Sequence, residues 1–143
     1  MPKTGEGPPV LAVVTRLLVG IIFLQVITGA FVAGTHAGHI YNTWPLMDGA
    51  LVPEGLFASQ GAAFEDHLTI QFNHRMFAYF TLFVIFAVWY AARGKHVSLP
   101  EGAGPAINMM MAMGVLQAAL GVITLVLVVP VPLAALHQLG AVG

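Results

Sequence analysis

The chain has 143 residues, of which 58% are hydrophobic and 8% charged, and its formal net charge is −1. Soluble domains carry about a quarter charged residues, so this composition indicates a membrane protein, and its charge balance offers nothing to a nucleic acid. There is no cysteine, which excludes disulfides, thiolate metal sites and cysteine nucleophiles and leaves six histidines as the residues where chemistry can reside.

Residues 1–9, MPKTGEGPP, form a polar segment rich in Pro and Gly. The apolar run that follows, from about residue 10 to 34, is long enough to cross a bilayer, which takes roughly 20 residues. It reads as a retained helix rather than a cleaved signal, whose apolar core would be shorter and followed by a small-residue cleavage site. A stretch of about residues 35–67 has no clear periodicity. Connections of that length are usually functional lids or binding loops, and Tyr41, Trp44, Pro45, Phe57 and Phe64 suit a segment folded on the membrane surface. A plain interfacial anchor would look the same.

The second and third spans are expected at about residues 68–92 and 105–129. Val131 and Pro132 then make a tight turn, because proline cannot continue a helix but starts one well. A fourth segment, residues 132–143, is too short to span and carries no interfacial marker at its end. It is expected to be a truncated last helix of a longer protein. The fold class is therefore an all-α, polytopic transmembrane four-helix bundle, residues 10–143. Gly29 with Ala33, and Gly114 with Gly121, place small residues on shared helix faces and favour close packing without specifying a function.

Lys3, Arg16, Arg93 and Lys95 lie at one end of the spans, whereas the long connection holds Asp48, Glu54, Glu65 and Asp66 without Lys or Arg. The positive-inside rule puts the N-terminus and the 93–104 loop in the cytoplasm and the long connection outside.

His74 and His137 are the histidines that fall within apolar helices. Each lies between one and two turns from the outer end of a helix running inward, so both imidazoles are expected at similar depth on diagonal helices of the bundle. Two such histidines can be the axial ligands of one haem iron, with the macrocycle filling an apolar interior. Each could instead be a hydrogen-bonded packing residue. Arg75 points about 100° away from His74 around the helix. It either pairs with a haem propionate or with Glu65 or Asp66.

His36 and His39 stand three apart where the first helix is still expected to be wound. That spacing puts them on one face, but two ligands without a third make a poor metal site, so they read as exposed polar residues. His67 and His96 read as solvated surface. Met109, Met110, Met111 and Met113 read as lipid-facing or core filler, and Trp89 with Tyr90 as an inner aromatic belt. No residue reads as a catalytic general acid or base.

Taken together, GAFVAGTHAGHIYNTWPLMDG, FEDHLTIQFNHRMFAY and PVPLAALHQ, in this order, resemble the C-terminal half of haem A synthase. The resemblance runs from about Gly29 to Gln138. It implies eight transmembrane helices in two similar halves, in the cell inner (cytoplasmic) membrane. It also implies an oxidoreductase that converts the methyl group of haem o to the formyl group of haem a for cytochrome oxidase. On that resemblance the N-terminal half holds the substrate haem o and this half a haem b cofactor, with His74 and His137 as iron ligands and Arg75 at the cofactor. The partners implied are the missing N-terminal half or a second copy, membrane lipid, haem o synthase and cytochrome oxidase assembly factors.

The chain departs from the family pattern in two places. Gln71 stands where the substrate half carries a catalytic Glu, as suits the cofactor half. His36 and His39 stand where relatives more often have an acidic and an aliphatic residue. Alone, this half is expected to bind haem without turning it over. The alternative is a b-type membrane cytochrome module that transfers electrons without synthase activity.

Overall fold

The computed structural model describes residues 9–56, 58, 61–94 and 97–142. Lys3, Phe57, Lys95 and His96, and all of the polar segment but Pro9, lie outside the described residues. The chain is all-helical: α1 (Pro9–Gly34), a 3-10 turn (Ala37–His39), α2 (Ala62–Glu65), α3 (His67–Ala91), α4 (Ala103–Val126) and α5 (Val131–Val142). Three of these helices, α1, α3 and α4, are long and apolar enough to cross a membrane.

Their apolar side chains point outward as well as inward. Phe23, Phe83 and Leu116 are all more than half exposed, whereas few large side chains are fully enclosed. A helix apolar on every side is suited to lipid or to another helix layer rather than to water. The enclosed residues lie mainly on α3, where Ile70, Gln71 and Arg75 face inward beside Thr69.

Local chemistry sets the helix ends. Asp66 is the N-cap of α3 in extended backbone, and its carboxylate accepts from the Thr69 amide at 2.9 Å and the Thr69 hydroxyl at 2.7 Å. Partial burial raises the affinity of this carboxyl for its proton, but the hydrogen bonds from Thr69 and Leu68 and the nearby His67 outweigh it. The group is held below its ordinary range. At the other end of α3 the Arg93 guanidinium lies 3.5 Å over the Trp89 ring. It donates to the Trp89 carbonyl and to Asn108 Oδ1 of α4. A cation there meets the negative end of the helix dipole.

α4 begins at Ala103, two residues before the expected start. Pro105 is accommodated in the first turn, where an amide hydrogen would have no helical partner. α4 ends at Val126, earlier than expected. Val128 and Val129 both take left-handed backbone, φ 61° and 55°, and the Val129 amide returns to Thr124 O at 2.8 Å. α5 then starts one residue before Pro132.

The helices form a ring in which α3 packs between α1 and α4, α5 packs on α4, and α1 meets α5 only sparsely. α3 and α5 therefore stand across the bundle from one another. Close approach is possible where glycines line the seams: a Cβ on Gly114 would lie 3.1 Å from Ile85 Cδ1 between α4 and α3.

The long connection is a folded cap over one end of the ring. Its Trp44 indole donates to the Tyr79 hydroxyl of α3 at 3.0 Å, Met47 is buried, and Phe64 packs on Phe31 of α1 at 5.4 Å between ring centroids. Asn42 Nδ2 donates both to Gly38 O at 2.6 Å and to Leu125 O of α4 at 2.9 Å. This amide ties the cap to the α4–α5 side of the ring.

Candidate functional site

Within the ring lies a partly open cavity of about 600 Å³ beneath the cap, within the size range of cofactor sites. His74 of α3 and His137 of α5 both line it. His74 is the eighth residue of its helix and His137 the seventh of its own. At a rise of about 1.5 Å per residue, both lie roughly 10 Å in from the capped end. They meet the cavity from opposite helices at one level.

Each imidazole rests against a glycine of the helix beside it. A Cβ on Gly29 of α1 would lie 3.1 Å from His74 Cε1, and one on Gly121 of α4 would lie 2.8 Å from His137 Cε1. His74 Nδ1 is 3.0 Å from Thr28 Oγ1 and 3.1 Å from Gln25 Nε2. Gln117 of α4 donates to the backbone oxygen of His137, while His137 Nδ1 is buried with no hydrogen-bond partner among the described residues.

Arg75 is only 8% exposed and also lines the cavity. Its two terminal nitrogens donate to Thr43 O at 2.9 Å, Tyr41 O at 2.8 Å and Gln71 Oε1 at 3.0 Å. The pairing with Glu65 or Asp66 that proximity in sequence allowed is not formed. The guanidinium turns under the cap, whereas Asp66 is engaged at the helix start. Arg75 Nε remains buried and unpartnered. Gln71 completes the cluster by donating to Ala37 O at 3.0 Å.

Two expectations are corrected. α1 ends at Gly34, and His36 takes left-handed backbone with φ 58°, so His36 and His39 do not share a helix face. Both are exposed yet line the cavity rim, with ring centroids 6.3 Å apart. His67 is not plain solvated surface: its Nε2 donates to Thr35 O at 2.8 Å and ties the start of α3 to the end of α1. The methionines do not line the cavity, and Met109 and Met113 are exposed.

Among the described residues no group of three or more His, Asp or Glu could hold a bare metal ion. Two imidazoles suit a metal that brings its own equatorial ligands, as a porphyrin does. Apolar walls with small residues, two facing histidines and a buried cation with one unpartnered donor fit that group.

Gln25, Thr28 and Gln117 were not singled out from the sequence. The signal was present: LQVITG in α1 recurs as LQAALG in α4, each placing Gln and Gly against a histidine.

Residues 2–143 match the family described as cytochrome oxidase assembly protein, COX15-CtaA. The chain is 47% identical over 134 residues to the haem A synthase of Parvibaculum lavamentivorans, covering 92% of this chain and 37% of that protein. It is 43% identical over 146 residues to that of Maricaulis maris, covering 96% of this chain and 42% of the relative. With the haem A synthase of Paramagnetospirillum magneticum it shares 45% over 127 residues, 88% of this chain and 35% of that one. It thus spans about four tenths of the length of these relatives. No solved structure matches the chain. With the match running from residue 2 to the last residue, the chain belongs to the haem A synthase family of cytochrome oxidase assembly proteins.

Proposed function

We propose that this chain is the haem b-binding, C-terminal half of a haem A synthase, with His74 and His137 as the two axial ligands of the iron. The observation that carries the reading is that both imidazoles enter one cavity at one depth from facing helices. Arg75, already anchored under the cap, has Nε left to meet a propionate carboxylate, and a buried cation gains most from such an anion.

Bound here, a haem would supply a one-electron carrier. The work of the protein is to fix the ring between two imidazoles, neutralise its acidic edge and exclude water. The oxidation of the haem o methyl group to a formyl group is assigned to the complete protein in this reading, which gives no residue of this half a general acid or base role. The N-terminus and the α3–α4 loop face the cytoplasm in this reading, and the cap lies outside the inner membrane, following the distribution of Lys and Arg.

Purification from haem-replete cells is expected to give a coloured protein with a six-coordinate, low-spin b-type spectrum. His74→Ala and His137→Ala should each abolish that signature. Retention of the signature in both variants would defeat the ligand assignment. Conversion of haem o is expected only when the other half is supplied. A b-type electron carrier would keep the spectrum and show no conversion in any combination.

A further inference from the structure

The two histidines stand on matched Gln and Gly supports that differ in the residue just before the glycine. Behind His74 lie Gln25 and Gly29 of α1, and behind His137 lie Gln117 and Gly121 of α4. Both glutamines direct Nε2 to the backbone oxygen of the histidine they support. Three residues after the glutamine, α1 has Thr28, whereas α4 has Leu120.

The difference is felt at the ring nitrogens. Thr28 has one hydroxyl hydrogen, which the Gln25 backbone oxygen accepts at 2.9 Å. Toward His74 Nδ1, at 3.0 Å, the threonine oxygen is then an acceptor. That arrangement keeps the imidazole proton on Nδ1 and leaves the Nε2 lone pair for a metal. Gln25 Nε2 is directed to His74 O at 3.4 Å, which leaves the threonine oxygen as the acceptor at Nδ1. Leucine has no atom to offer, so among the described residues His137 Nδ1 has no side-chain acceptor, and the ring has only the Gln117 backbone oxygen near it, without a well-formed hydrogen bond to Nδ1.

An acceptor on the second nitrogen orients a ligating imidazole and strengthens its donation, and losing one typically lowers metal affinity about 10–100-fold. Resting on the haem-binding reading above, we propose that Thr28 makes His74 the permanent ligand, while Leu120 leaves His137 the exchangeable one. Thr28 is a positioning residue in this scheme, acting through His74. His137 is the ligand released when a small external molecule takes its place on the iron.

The test uses the full chain loaded with haem b, reduced, and mixed with carbon monoxide as the external ligand. His137→Ala is expected to retain haem and bind carbon monoxide at least tenfold faster than the unaltered chain. His74→Ala is expected to lose haem at least tenfold more readily than His137→Ala. Thr28→Val, which keeps the side-chain shape, should weaken haem retention about 10–100-fold, with Thr28→Ser restoring it. Leu120→Thr should slow carbon monoxide binding about tenfold, by giving His137 the missing acceptor.

Equal haem loss from the two histidine variants, or no response to Thr28→Val and Leu120→Thr, overturns the inequality alone. A haem-loaded chain that never shows a six-coordinate low-spin spectrum overturns the two-ligand reading and this inference with it.

Discussion

Arg75 carries a structural duty besides the proposed one at the cofactor. Three acceptors, two of them loop carbonyls of the cap, depend on its guanidinium. Hydrogen bonds to a charged group contribute about 1.5–3 kcal/mol each, and carbonyls left without donors add a desolvation penalty. Arg75→Leu is therefore expected to destabilise the detergent-solubilised protein by about 3 kcal/mol or more, read by denaturant titration. Arg75→Lys should recover only part of this, since an ammonium cannot reproduce the planar fork. His74 and His137 were legible as residues because ionisable groups inside apolar helices are rare. The partners of His74, Gln25 and Thr28, were not, because an uncharged polar residue in an apolar run shows its role only once the neighbouring helix is in place.

At the scale of the helices, the glycines decide how far each imidazole can retreat from the cavity. Gly121→Ala would set a methyl group 2.8 Å from His137 Cε1, closer than such atoms pack, and the ring would have to shift. Gly29→Ala would set one at 3.1 Å from His74 Cε1, a milder conflict. Gly29→Ala, which acts on His74, should lower the haem-to-protein ratio after purification, whereas Gly121→Ala, which acts on His137, should keep the haem and weaken the low-spin signature. Gly20→Ala meets nothing within 4 Å and serves as the control; with glycine's entropic penalty removed, it should leave haem content unchanged and stabilise α1 by about 0.5–1 kcal/mol. The spans themselves were legible from length and apolarity. The end of α4 was not, since two valines in left-handed backbone are a conformation their side chains disfavour and the surrounding packing imposes.

Across the whole molecule, the ring is weakest where α1 and α5 barely meet, so the two sides of the cavity are joined mainly through α3–α4 packing and the cap. Asn42 is the side chain that ties the cap to α4, through Leu125 O. Asn42→Ala is expected to speed haem loss several-fold in a transfer assay to a haem-scavenging protein, with helix content by circular dichroism unchanged. An unaltered rate would show that the cap does not hold the cavity shut.

By itself the sequence determined that this is a membrane helix bundle, where its spans lie, and that His74 and His137 come to matched depth. Each follows from apolarity and helical rise, properties that accumulate along one segment and need no knowledge of its neighbours. Tertiary structure alone decided that Arg75 serves the cap, that His67 clamps the end of α1, and that of the facing pair His74 and His137 only His74 has a side-chain partner for its Nδ1. Those outcomes depend on backbone carbonyls and on residues from other helices. A carbonyl is the same at every position, so nothing in the order of side chains marks which one will be met.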